Sequence, residues 1–262
     1  MIVTLLVSGT ALCCVTMLGL FVVQQRTENA GYVDVGWSYN LGLLGLLYAG
    51  LGSSSALPRW TLAAMAMLWS LRLGTHILRR VHGHAEEGRY AALRQHWGQH
   101  TGLKFFFFFQ AQAILDVLLS LPFLLVAIDR NGSAAFTSIQ VVAIALFLVA
   151  IAGEALADGQ LARFKRTAAK GAVCEMGLWS YSRHPNYFFE WLIWVAYALF
   201  ATSTCFGWFA WTAPALMLLF LFKVTGIPYT EAQSLRSKGE AYARYQRTTS
   251  VFIPWFKKEP TL

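Results

Sequence analysis

An all-α, polytopic membrane protein with seven transmembrane helices is the fold class the sequence predicts, and three observations predict it. Of 262 residues, 56% are hydrophobic and 13% charged, against roughly a quarter charged in ordinary soluble domains. The apolar residues gather into runs near the ~20 residues a helix needs to cross a hydrocarbon core of about 30 Å. Of the 21 Lys and Arg residues, 17 fall in four connections that alternate with nearly uncharged ones.

The first run, near 1–23, has no basic residue before it and exceeds the apolar core of a signal peptide, so it reads as a retained span. Further spans follow near 33–51, 59–78, 105–128, 138–157, 186–203 and 207–226. Segments 24–32, 79–104, 158–185 and 227–262 carry the basic residues and face the cytoplasm by the positive-inside rule. The N-terminus is then outside and the C-terminus cytoplasmic. One integral membrane domain, 1–262, accounts for the chain. Its net charge of +8 is divided among these loops and serves topology, which argues against nucleic acid as a partner.

Metal chemistry is not expected. Cys13, Cys14, Cys174 and Cys205 form no CxxC pair and read as small apolar residues. His82, His84, His96 and His100 lie in one polar loop, and His76 and His184 are too few to complete an imidazole-rich dinuclear site. No GxGxxG follows a strand, so a dinucleotide would have to be held by side chains.

Ionisable groups in or beside the spans carry the functional signal. Asp34, Arg72, His76, Asp116, Glu154, Asp158, Glu190 and Lys223 all lie there, although a charged residue at the bilayer centre costs about 2.5–3.5 kcal/mol on insertion scales. The pairs Glu154/Asp158, Asn186/Glu190 and His76/Arg80 are each four apart, on one helical face. Two readings remain: a polar chamber open to the cytoplasm, or interhelical ion pairs that set packing.

The stretch GLWSYSRHPNYFFEWLIW (177–194), with GEAYARYQRTTSVFIPWF (239–256), resembles the membrane steroid reductases: the 5-alpha-reductases, the sterol C14 and C7 reductases and their bacterial relatives. DVGWSYN (34–40), RLGTHILRR (72–80) and EEGRY (86–90) look like the bacterial branch. The isoprenylcysteine carboxyl methyltransferases, which use S-adenosylmethionine, share the RHPxY signature and are the alternative. The Asn186-x-x-x-Glu190 arrangement resembles the reductases instead.

What the resemblance implies is NADPH-dependent reduction of the C=C bond of a 3-oxo-4-ene steroid or similar lipophilic enone, in a bacterial inner membrane with the site open to the cytoplasm. It implies a substrate cavity formed mainly by 1–128 and a nucleotide-binding half formed mainly by 129–262. Asn186 and Glu190 match residues at the nicotinamide end, Asp158 an acid near the adenosine part, and Lys165, Arg80 and Arg89 basic positions suited to phosphate. Tyr181, Arg183, His184, Tyr242 and Tyr245 complete the expected cofactor set, although Tyr residues at a membrane boundary also serve as interfacial anchors. Glu154 departs from the 5-alpha-reductases, which have an amide there. The carboxyl and phenol that polarise the substrate carbonyl in the animal enzymes have no clean copy here. Asp34 stands in for the first, with His76, Tyr32 and Tyr39 as donors; Asp34 orienting Trp37 or capping its helix is the other reading.

Overall fold

The computed structural model describes residues 1–169, 171–224 and 226–258. Thr225, in the last expected span, and residues 259–262 of the expected cytoplasmic tail lie outside the described residues, as does Lys170 of the 158–185 loop. The chain divides into two units, Met1–Val141 with Tyr197–Ala213, and Val142–Ala196 with Pro214–Leu262. No strand is formed among the described residues.

In the first unit, α1 (Ile2–Thr27), α2 (Tyr32–Leu51) and α3 (Ala56–Val81) form an antiparallel series. α1 buries Leu5, Gly9, Cys13, Met17 and Gln24, a stripe at helical spacing, while Val15 stays 68% exposed. An apolar face left uncovered over a whole helix suits lipid as its solvent. Small residues bring these helices close. A Cβ on Gly9 would lie 2.5 Å from the Tyr48 hydroxyl, and one on Gly42 2.5 Å from Ser70 Oγ. Ser70 Oγ uses that approach to donate to the Ser38 carbonyl at 2.6 Å.

The expected span 105–128 is two helices, α5 (Thr101–Leu119) and α6 (Leu121–Ile128), after a short polar α4 (Gly88–Trp97). Pro122 is the cause: it has no N–H to give the preceding turn, and its ring crowds the carbonyl four residues back. Hydropathy continues through the break, so the break is invisible to it. Residues Pro122 to Ala127 are all buried, with Phe123 edge-on to Tyr197 at 5.1 Å. Between α1, α2 and α5 lies a buried polar chain, in which Thr16 Oγ1 donates to Asn40 Oδ1 at 2.6 Å and Asn40 Nδ2 to Asp116 Oδ2 at 2.7 Å.

α7 (Ser138–Thr167) runs ten residues beyond its expected end, because the polar sequence after Ala157 stays helical. α8 (Pro185–Ala201) begins on Pro185, where a missing N–H costs nothing. A 3₁₀ turn (Gly207–Trp211), α9 (Thr212–Leu219) and a π turn (Phe220–Val224) follow, then the polar helices α10 (Ile227–Lys238) and α11 (Glu240–Thr248). In the second unit Phe252 enters an aromatic cluster, 5.6 Å from Phe188, 5.9 Å from Trp191 and 5.1 Å from Phe222.

Four helical stretches are long and apolar enough to cross a membrane: Ile2–Thr27, Thr101–Leu119, Ser138–Thr167 and Gly207–Lys238. The other expected spans fall on α2, which carries Asp34 and Asn40, on α3, which carries four arginines, and on α8, 17 residues long.

Candidate functional site

Two polar clusters contain most of the expected site residues, one in each unit. In the first, Asp34 stands in the opening turn of α2 and receives two groups from α4. Arg89 forms an ion pair with its Oδ2, and the Tyr90 hydroxyl donates to its Oδ1 at 3.0 Å. Glu87 Oε1 pairs with Arg80 at 2.7 Å and its Oε2 lies 3.6 Å from Arg89. Glu86 binds Arg94 at 2.9 Å and accepts the Ala30 N–H at 2.8 Å. Asn29 closes the loop by donating to the carbonyls of Val81 and His84.

The sequence reading has Asp34 stand in for the carboxyl that polarises the substrate carbonyl; the structure sets the Arg89 guanidinium and the Tyr90 hydroxyl against it. Tyr90 is 3% exposed, and burial first, then the charge of Asp34, raises its phenol well above the ordinary range. The phenol is therefore held protonated. Tyr32 meets His82 Nδ1 at 3.1 Å, Tyr39 meets Thr75 Oγ1 at 3.1 Å, and His76 is exposed on α3.

In the second unit the RHPN motif splits between two tasks. Arg183 donates through Nε to Glu231 Oε1 at 2.6 Å and through Nη1 to the carbonyls of Gln246 and Thr249 at 2.9 and 2.6 Å. His184 Nε2 lies 3.3 Å from the same Glu231 oxygen, and Gln246 Nε2 donates to the other at 2.9 Å. Tyr245 donates to the Trp179 and Ser182 carbonyls, Ser182 Oγ to the Phe252 carbonyl, and the Trp255 N–H to the Tyr181 carbonyl. Tyr242 and Tyr245 are 4% and 2% exposed. Arg183, His184 and Tyr245 thus bind α10, α11 and the segment after it to the motif; their polar atoms serve the chain itself.

Asn186 and Glu190 do something else. Asn186 Nδ2 reaches Asp158 Oδ1 on α7 at 3.4 Å, and one turn on, the buried Glu190 accepts the Trp194 indole N–H at 2.9 Å. Asn186 and Asp158 are half-buried. Seven residues after Asp158, two turns along α7, Lys165 is exposed, and its neighbours Arg163 and Arg166 are exposed too. Tyr181 is 45% exposed and meets Phe256 edge-on.

The donor set of the second unit fits a phosphorylated nucleotide. An amide beside a carboxylate offers a donor and acceptors for a carboxamide or ribose, and exposed Lys and Arg at the end of α7 offer cations for phosphate. Arg183 does not belong to that set, because its guanidinium is engaged by Glu231 and two carbonyls. Sequence reasoning missed Glu231 and Tyr90. Glu231 is one of two acids between 227 and 258, and Tyr90 adjoins Arg89 within EEGRY; each was visible as a residue, its partner was not.

An uncharacterized protein of Schizosaccharomyces pombe is similar to this chain, 28% identical over 266 residues that cover 90% of this chain and 75% of the yeast protein. No solved structure matches. The family model described as a protein of unknown function, DUF1295, matches residues 20–249. That range takes in the Asp34 cluster, the RHPN motif and the Glu231 latch, and the chain belongs to the DUF1295 family.

Proposed function

We propose that this protein is an NADPH-dependent reductase of a 3-oxo-4-ene steroid or similar lipophilic enone, set in a bacterial inner membrane with seven spans, its N-terminus outside, and its C-terminus and site at the cytoplasmic face. The observation that carries the reading is the half-buried Asn186–Asp158 contact with Glu190 one turn beyond, at the mouth of an apolar helix. Ionisable groups in or beside a span are costly in lipid and mark a functional site by default.

NADPH, when bound, supplies the hydride for the β-carbon of the enone. Asn186 and Glu190 would hold the nicotinamide end, Asp158 the adenosine part, and Lys165 the phosphates. Arg80, exposed beside Glu87, is the further phosphate candidate. In the first unit, Tyr39 is the donor best placed to polarise a carbonyl. It is half-buried, and a hydrogen bond donated by Thr75 Oγ1 to the Tyr39 oxygen would leave the phenolic O–H to donate to the substrate oxygen as negative charge develops on it. Tyr32 faces His82 and is buried, and His76 is an exposed second donor. Asp34, held by Arg89 and Tyr90, orders the α2 entrance and places negative charge beside it.

Purified protein in detergent tests this directly. NADPH is expected to raise the melting temperature, since only a ligand of the native state does so, and to be consumed with a 4-ene-3-ketosteroid. Asn186→Ala and Glu190→Gln are expected to weaken nucleotide binding at least tenfold. Protein that neither gains stability from NADPH nor oxidises it sinks the proposal, and stabilisation by S-adenosylmethionine instead would favour the methyltransferase.

A further inference from the structure

In the second unit, the chain after α11 is pinned at its backbone and bare at its side chains. The Arg183 N–H donates to the Ser250 carbonyl at 2.8 Å, Ser182 Oγ to the Phe252 carbonyl at 2.8 Å, the Trp255 N–H to the Tyr181 carbonyl at 2.9 Å and the Lys258 N–H to the Thr248 carbonyl at 2.8 Å. Lys257 Nζ adds an ion pair with Glu175. Along the same stretch Ile253, Trp255 and Phe256 are 59%, 66% and 74% exposed. Phe256 meets both Trp255 and the exposed Tyr181 edge-on, so the rings form one patch. Large apolar side chains exposed singly are ordinary; a contiguous group of them marks a contact surface.

Phe252 fixes the level at which this patch lies. It is buried with Leu221 and Ile227, its ring 5.1 Å from that of Phe222. These residues belong to the stretch Gly207–Lys238, which is long and apolar enough to cross a membrane. They stand where PALMLLFLFKV (214–224) gives way to TEAQSLRSK (230–238). Ile253, the next residue along, therefore emerges at the junction of the oily and the wet parts of that stretch. Charge follows the same division. Segments 158–185 and 227–258, the polar parts of this unit, hold eleven Lys and Arg against four Asp and Glu, and Lys258, two residues after Phe256, is exposed.

Rings and an aliphatic side chain beside cations, at the level where an apolar helix turns polar, match the headgroup layer of an anionic bilayer. Aromatic side chains take the boundary between acyl chains and headgroups, and ammonium groups take the lipid phosphates. A soluble protein partner would require no such level. Because the backbone is already tied down, insertion orders little that was free. We infer that Ile253, Trp255 and Phe256 insert into the leaflet on the side of the basic segments, with Lys258 on lipid phosphate, and that anionic lipid there braces the chain that Arg183 holds. The inference rests on the membrane placement and not on the nucleotide reading. Tyr181 serves in it as an interfacial anchor.

Spin labels on the full chain in lipid nanodiscs test it. Phe256→Cys and, as the solvent reference, Ser237→Cys are labelled in a chain carrying Cys14→Ala and Cys205→Ala, since Cys13 and Cys174 are buried and Ser237 is exposed. The ratio of relaxation by oxygen to relaxation by a soluble nickel chelate is expected to be about tenfold higher at 256 than at 237, as for a side chain lying about 5–10 Å into the headgroup boundary. Replacing phosphatidylcholine by an equal mixture with phosphatidylglycerol is expected to raise the ratio at 256 further and to slow amide exchange over 249–252, and Lys258→Gln to remove both effects. A label at 256 as open to nickel as the one at 237 would overturn the inference and leave the patch to a soluble protein. Dipolar broadening between labels in discs holding two chains would overturn it in favour of a second copy. A ratio indifferent to phosphatidylglycerol would overturn it as well. None of these readouts needs NADPH, so failure here and failure of the reductase reading are told apart.

Discussion

Arg89 and Arg183 are both arginines on carboxylates, yet they do different work. Arg183 is 10% exposed at its side chain and divides its N–H groups between Glu231 and two backbone carbonyls. It ties down a segment of chain. Arg89 is 25% exposed, and its partners are the side chains of Asp34 and Glu87, with its guanidinium carbon 4.6 Å from the Tyr90 ring centroid. It organises charge at the start of α2. A motif arginine can therefore be a splint, and what distinguishes the two is whether the remaining N–H groups meet backbone or side chains.

Removing Glu231 should break that comparison hardest. Glu231→Ala leaves Arg183 buried without its counter-charge, and such losses cost about 3–5 kcal/mol. A fall in thermal midpoint with new proteolytic cleavage after Thr249 is the expected outcome; cleavage confined to α4 would contradict it. Alkali probes the same latch. Tyr242 is raised to about 12, by burial first and the charge of Glu231 second. Its contribution to stability is complete below the unfolded value near 10 and is lost as pH rises from there toward 12, on the order of 2 kcal/mol. Absorbance of tyrosinate followed against pH should show a late-ionising phenol that Tyr242→Phe deletes.

On the other side of the comparison, Asp34→Asn should cost about 1.5 kcal/mol, the value of a hydrogen bond to a charged group. It should loosen α4, read as faster amide exchange there, and leave the tail protected. Lys165→Ala separates ligand from scaffold: nucleotide affinity should drop about tenfold, roughly 1.4 kcal/mol, with the apo midpoint unchanged because Lys165 is exposed. Arg183→Ala should do the opposite. Least of all, the Arg247–Glu240 pair, 61% and 79% exposed at 2.6 Å, should contribute under about 0.5 kcal/mol, so Glu240→Gln should leave the midpoint in place.

Hydropathy made the long helices legible, because a lipid-facing stripe and a buried stripe are both apolar and the pattern survives whichever side a residue faces. It could not show the division at Ser120, where the apolar run continues and only Pro122 marks the stop, nor the last ten residues of α7, which are helical without being apolar. At the site, spacing placed Asn186 and Glu190 on one face, and Asp158 proved to be the neighbour that Asn186 meets across 28 positions. Arg183 and His184 lie in the same motif, and sequence offered no way to see that they turn toward Glu231, 48 and 47 residues on, since that depends on where α10 docks. The ion pairs of Glu86, Glu87 and Asp34 were open in the same way: eight charged groups near a membrane are compatible with a chamber or with pairing, and only coordinates assign partners.

The buried chain from Thr16 through Asn40 to Asp116 sets the alignment of α1, α2 and α5 as a ratchet tooth sets a wheel. Apolar helices slide past one another in lipid at little cost, but shifting α5 by one turn would carry the Asp116 carboxyl away from Asn40 and toward acyl chains, at about 2.5–3.5 kcal/mol. A single polar link in an oily interface thus makes misaligned assemblies self-rejecting before any ligand arrives.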